Sequence, residues 1–174
     1  MRERLIILGH DPGASGAFAL MTGSGKLLGV LDTPVLYQGT KTLFYTAHFC
    51  EWYAKVTTPY VDCKEVAIIE AVGAMPKQGV SSTFNFGAMY GGASSFLLGM
   101  LGVDNVWFET PAKWKKDMGL TKEKTLSLQI ATEVFGEEAH DHYWRRKKDN
   151  GRAEAALLCH YYLQHMMKGE RHDT

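Results

Sequence analysis

The chain has 174 residues, 19 Lys+Arg against 19 Asp+Glu, 45% apolar and 22% charged residues. That is the composition of one globular domain, taken here as 1–174, and it excludes disorder, collagen and a multidomain machine. A formal net charge of zero speaks against binding nucleic acid or an anionic membrane by bulk charge, while leaving room for local basic patches.

Leu5 to Leu8 is a short apolar run ending at a turn, the pattern of a buried strand. Four apolar residues are too few for a secretory h-region. The longest greasy stretch, Phe96 to Val103, is broken by Gly99 and Gly102 and falls short of a bilayer span. Ala17 to Met21 and Leu27 to Leu31 predict a second and third strand, joined through a turn at 22–25. Residues 41–56 place Leu43, Phe44, Ala47, Phe49, Tyr53 and Val56 at helical spacing, which predicts an amphipathic helix. Val66 to Ile69 is a fourth strand, ending in Glu70. A loop with Gly73, Pro76 and Gly79 then feeds a helix rich in small residues that runs to about Leu101. Its Gly87, Gly91 and Gly92 cost helix propensity, which close approach by another backbone would offset.

Asn105 to Phe108 is a fifth strand, and Thr110-Pro111 opens a helix that Gly119 stops. A helix over 122–135 closes at Gly136, residues 137–149 read as a polar, aromatic loop, and a last helix covers roughly 152–167. Cys50, Cys63 and Cys159 are widely spaced and form no C-x-x-C pair. They read as free thiols of a reducing compartment, so the expected location is cytoplasmic.

Two acids stand at strand ends. If the first and fourth strands are parallel neighbours, Asp11 and Glu70 lie side by side in the crevice where open α/β sheets bind ligands. Carboxylates that close repel unless a cation lies between them, and their hard oxygens suit Mg²⁺ or Mn²⁺. Taken singly, either acid is equally a strand-end cap. Asp149-Asn-Gly-Arg-Ala-Glu154 heads the last helix and adds a third source of acid.

The order Ile-Leu-Gly-His-Asp11-Pro-Gly-Ala-Ser-Gly-Ala, then Ala-Ile-Ile-Glu70, then Asp149-Asn-Gly-Arg-Ala-Glu154-Ala resembles the RuvC-type Holliday-junction resolvases of the RNase H-like superfamily, in particular their phage-type members. Val106-Trp-Phe-Glu-Thr-Pro and Trp114-Lys-Lys116 are similar to the family's fifth strand and the basic segment after it. The resemblance implies an α/β fold with a five-stranded mixed sheet, order 3-2-1-4-5 with strand 2 antiparallel, and helices on both faces. It also implies a homodimer making paired cuts in a four-way DNA junction, with two Mg²⁺ per site held by Asp11, Glu70, Asp149 and Glu154. The products would be a 5′-phosphate and a 3′-hydroxyl, and no nucleotide cofactor or membrane partner is implied. The Gly87–Gly99 helix is the expected dimer interface.

The chain departs from the family in two places. Three residues before Glu154 it has Gly151 in place of an acid, and Asp149 lies about 140° from Glu154 on an ideal helix. Three residues after Glu70 it has Gly73 in place of an aromatic wedge, leaving Met75, Phe84 and Phe86 as junction-opening candidates.

The zero charge now resolves into parts. Lys113, Lys115, Lys116, Lys122 and Lys124 against two acids give residues 111–124 a charge of +3. Arg145, Arg146, Lys147, Lys148 and Arg152 against Asp149 give residues 143–152 a charge of +4, leaving −7 elsewhere. Two basic segments flanking an acidic centre match a phosphodiester held by its neighbouring phosphates, though such runs also serve as solvated faces. Trp114 and Trp144 beside them either pack on sugar and base or anchor helices. Three other readings stay open: a less selective flap and fork nuclease, a metal-free junction binder, and an actin-like ATPase or sugar kinase on the strength of Asp11-x-Gly13. The last needs a second phosphate loop and a second domain.

Overall fold

A computed structural model describes residues 4–74, 79–121 and 123–168. β1 (Leu5–Asp11), β2 (Ala17–Thr22) and β3 (Leu27–Asp32) form the expected meander. β1 and β2 are wholly apolar apart from His10, Asp11 and Thr22, as central strands covered on both faces must be. The turn into β3 is fixed by Gly25 at φ 91°, a backbone region closed to most side chains. β6 (Lys64–Glu70) pairs parallel with β1, and β7 (Val106–Glu109) pairs parallel with β6. The sheet order β3-β2-β1-β6-β7, with β2 antiparallel to its neighbours, is the expected one.

Alternation along β1 sends Leu5 and Ile7 to one face and Ile6 and Leu8 to the other, and each face has its own core. On one side lie α1 (Thr46–Thr57) and α2 (Val80–Leu101), packed around Phe18, Phe49 and Leu97. On the other lie α3 (Pro111–Asp117), α4 (Lys124–Phe135) and α6 (Asn150–Lys168), packed around Trp114, Ala131, Trp144 and Leu158. α6 rides directly on β1. A Cβ at Gly9 would overlap the Ala155 carbonyl oxygen and stand 2.8 Å from Cys159 Sγ. The small face of α6, with Ala153, Ala155 and Ala156 fully buried, is the other half of that close approach.

The fold differs from the sequence expectation in two places. Residues 41–44, expected to open a helix, form a strand, β5 (Lys41–Phe44), paired antiparallel with β4 (Val35–Gln38). Leu43 and Phe44 satisfy either periodicity, and the Gly39-Thr40 turn with φ 62° at Gly39 decides for the hairpin. Phe44 then reaches Phe18, Phe49 and Phe96, so α1 starts only at Thr46. Residues 137–149 are not all loop: α5 (Glu137–Tyr143) follows Gly136, with Glu137 and Glu138 at the positive end of its dipole. On α2, Gly87, Gly91 and Gly99 are exposed, with nothing within 4 Å of a Cβ built at any of them.

Cys50 is exposed, Cys63 half-buried and Cys159 buried, all as free thiols. Among the described residues no helix is long and apolar enough to cross a membrane.

Candidate active site at the carboxyl ends of the strands

Three strands end in an acid on the same face. Glu70 pairs in register with Glu109, and His10 pairs with Ile69, which sets Asp11 next to Glu70 one position on. Parity along each strand turns all three toward the α3 and α6 side, since Ile7, Ile68 and Trp107 belong to that core. α6 closes over Asp11 at its first turn: a Cβ on Gly151 would stand 2.9 Å from Asp11 Oδ2 and 2.8 Å from the Ser15 carbonyl oxygen. Gly151, with no side chain, is therefore the residue that lets the helix reach the aspartate. The turn 13–16, closed by a Gly16 N–H to Gly13 carbonyl bond of 3.1 Å, brings the chain back into β2 directly beside it.

Glu70 is buried and held by two groups from α3. Trp114 Nε1 donates to its Oε1 at 2.9 Å, and Lys115 Nζ stands 3.2 Å from the same oxygen. The same ammonium lies 2.8 Å from Glu154 Oε2, so one lysine from α3 ties an acid on β6 to an acid on α6. Burial works against the Lys115 charge, but the hydrogen bond and charge of Glu154, and then of Glu70, outweigh it and hold its pKa above the ordinary value. Glu109 has other duties. It accepts from Lys113 Nζ at 3.0 Å, Tyr161 Oη at 3.0 Å and the Thr110 amide at 2.9 Å. Burial alone would raise its pKa; these donors reverse that and hold it below the usual range. It thus ties β7 to α3 and α6.

The four expected acids are brought together unequally. Lys115 bridges Glu70 and Glu154, while Asp11 ends the strand next to Glu70 and lies against Gly151 at the start of α6. Asp149 is buried, and its oxygens accept from Arg146: Oδ2 from the backbone N–H at 3.0 Å, Oδ1 from a guanidinium nitrogen at 2.8 Å. That bonding to Arg146 holds the Asp149 pKa low against the opposing effect of burial. It is a cap on the turn Lys147–Asp149 that leads into α6. Replacing Asp149 by Asn is expected to lower Tm by about 2–4 °C, the loss of one cap in a domain of this size, measurable by calorimetry.

The basic candidates divide in the same way. Lys113 and Lys115 are spent on Glu109, Glu70 and Glu154, Arg146 on Asp149, and Arg152 on both oxygens of Asp32 and on the Tyr143 carbonyl. Lys116, Arg145, Lys147 and Lys148 are exposed. Lys116 belongs to α3, and Arg145, Lys147 and Lys148 to the approach to α6. Lys122 lies outside the described residues, as does the Lys124 side chain at the start of α4. Trp114 and Trp144 are fully buried, which corrects any reading of them as exposed stacking platforms; the Trp144 indole donates to Thr132 Oγ1 at 3.1 Å. Of the junction-opening candidates, Phe84 is 68% exposed at the start of α2. Phe86 packs on Gly13 and stacks with Tyr90, and Met75 lies outside the described residues. His10, beside Asp11 in sequence, points to the opposite face, stacks on Phe18 at 4.0 Å and is lowered by burial to a pKa of about 3. It is neutral and takes no part in the cluster.

The donors suit a hard divalent cation in kind: they are carboxylate oxygens, and two of them already share a cation. That cation is the Lys115 ammonium. Among the described residues no group of three or more His, Cys, Asp or Glu side chains stands ready to hold a metal ion.

This sheet order, with helices packed on both faces, is that of an RNase H-like fold. Among solved structures it is similar to "T. thermophilus RuvC in complex with Holliday junction substrate", with a TM-score of 0.51 and 15% identity over 91% of this chain and 95% of that one. That likeness is one of fold. No family model matches the chain, and no curated protein matches its sequence.

Proposed function

We propose that this protein is a metal-dependent endonuclease for branched DNA, with the four-way junction as its principal substrate. What supports the reading is the placement of Asp11 at the end of β1 beside Glu70 at the end of β6, with Glu154 of α6 tied to Glu70 through Lys115, in an RNase H-like fold. These three acids would hold Mg²⁺ or Mn²⁺, and Asp149 would join them on releasing Arg146. A bound divalent cation supplies the charge that activates the attacking water and offsets the charge on the departing 3′ oxygen. Water adds to phosphorus, the bond to the 3′ oxygen breaks, and a 5′-phosphate and a 3′-hydroxyl result. Lys116, Arg145, Lys147 and Lys148 would position the neighbouring phosphates without reading sequence. Exposed Phe84 is the best placed candidate to open the crossover.

Two symmetric cuts need two sites, so the reading includes a twofold dimer. The exposed glycines on α2 suit a close helix contact between protomers. The test is incubation of a synthetic four-way junction, a fork and a linear duplex with Mg²⁺ or with EDTA. Paired cuts in the junction with Mg²⁺ alone are expected. Equal rates on the fork would replace junction selectivity with a general branched-DNA activity. No cleavage with any divalent ion would overturn the reading.

A further inference from the structure

We propose that Lys115 is the resident cation of the acid cluster, and that a divalent ion enters only as its ammonium leaves Glu70 and Glu154. The inference rests on the proposed metal site and goes beyond it, because it makes loading of that site conditional. Lys115 Nζ is 3.2 Å from Glu70 Oε1 and 2.8 Å from Glu154 Oε2, so it takes up one oxygen of each of the two carboxylates a metal would use. A lysine and a divalent ion on the same two oxygens would be like charges within a few ångströms, in a site with little water to screen them. One has to yield. The fixed partner of Glu70 is Trp114, whose buried indole keeps Oε1 aimed at the cluster whichever cation is present.

Lys115 is built to move and Trp114 is not. The lysine has a flexible four-carbon stem, its side chain is 29% exposed, and its ammonium lies 5.2 Å from the Trp114 ring. Once displaced it remains protonated and needs a new anionic partner. A DNA phosphate brought to the cluster supplies one. Metal and DNA then bind with positive coupling, each favouring the state the other needs, and the free protein binds metal weakly. The exposed lysine Lys116, one residue on, has no such role, because no carboxylate of the cluster contacts it.

The experiment is titration of the full-length protein with Mn²⁺ alone, followed by calorimetry, for wild type, Lys115→Met and Lys115→Gln, with thermal melts to show that each is folded. Both variants are expected to bind Mn²⁺ about tenfold or more tightly than wild type, the size of effect expected for removing one adjacent like charge. Wild-type affinity is expected to rise by a similar factor when a four-way junction with cleavage-resistant phosphorothioate linkages is present, and the variants to lose most of that gain. Mn²⁺ binding to wild type with unchanged or weaker binding to both variants would overturn the inference and leave the metal site standing. Absence of Mn²⁺ binding in all three proteins would overturn both. If one variant melts out, the other carries the comparison.

Discussion

Glu70→Gln is expected to reduce Mg²⁺-dependent junction cleavage by about a thousandfold, equivalent to ~4 kcal/mol of transition-state stabilisation. The substitution is nearly isosteric. The Glu70 Oε1 position can remain an oxygen, so it still accepts from the Trp114 indole, now 2.9 Å away. What changes is charge: the Lys115 ammonium loses one of its two anionic partners, and a cation in the cluster loses a full negative charge where Glu70 now stands. Junction binding, which we propose rests on exposed lysines and arginines elsewhere, is expected to persist. Gel retardation in EDTA with the same junction separates the two effects. Loss of binding together with cleavage would show that the variant had disturbed the fold; retained cleavage would remove Glu70 from the mechanism. Asp11→Asn is expected to behave in the same way, because the first turn of α6 leaves that side chain little room to reorient.

The two strand-end acids were legible because their positions follow from local pattern. An apolar run that stops at an acid fixes both the strand and the end at which the acid sits, and a parallel pairing of two such strands puts the acids together. Glu109 obeys the same rule on β7 and escaped notice only because a four-residue strand makes a weaker pattern. Lys115 could not be placed this way. In Lys113-Trp-Lys-Lys116 the spacing does not say which lysine turns inward until the burial of Trp114 fixes the rotation of α3. Arg152 finds Asp32, 120 residues away, a partnership with no local signature. Asp149 was legible as an acid near the cluster but not as a cap, since its partner Arg146 is not a usual N-cap residue. The β4–β5 hairpin was lost to an ambiguity of period, and α5 to the absence of an apolar stripe. What the sequence conveyed well was therefore the sheet and its acid ends; what it concealed was which charges the fold spends on itself.

Gly9→Ala is expected to be strongly destabilising in the site's support. The added methyl would overlap the Ala155 carbonyl oxygen, a backbone atom in the middle of α6, and lie 2.8 Å from Cys159 Sγ. Neither a rotamer change nor a small shift relieves an overlap with helix backbone, so α6 must lift from β1. That separation would open a core in which Ile7, Ala19, Ala155 and Leu158 are fully buried. A cost above ~4 kcal/mol is expected, against the ~5–15 kcal/mol that holds a typical domain together. Tm should fall by at least about 10 °C, or the cooperative transition should vanish. Gly29→Ala is the control. There the new methyl meets Val56 Cγ2 at 3.5 Å and the Trp52 ring at 3.6 Å, ordinary contact distances, and Tm is expected to move by only a few degrees. The comparison also bears on the site. Asp11 is two residues beyond Gly9 on β1, and Glu154 immediately precedes Ala155 on α6. The contact that glycine permits is therefore what sets the distance between those two acids, and a partly folded Gly9→Ala protein should lose cleavage at temperatures where its secondary structure, followed by far-UV circular dichroism, is still intact.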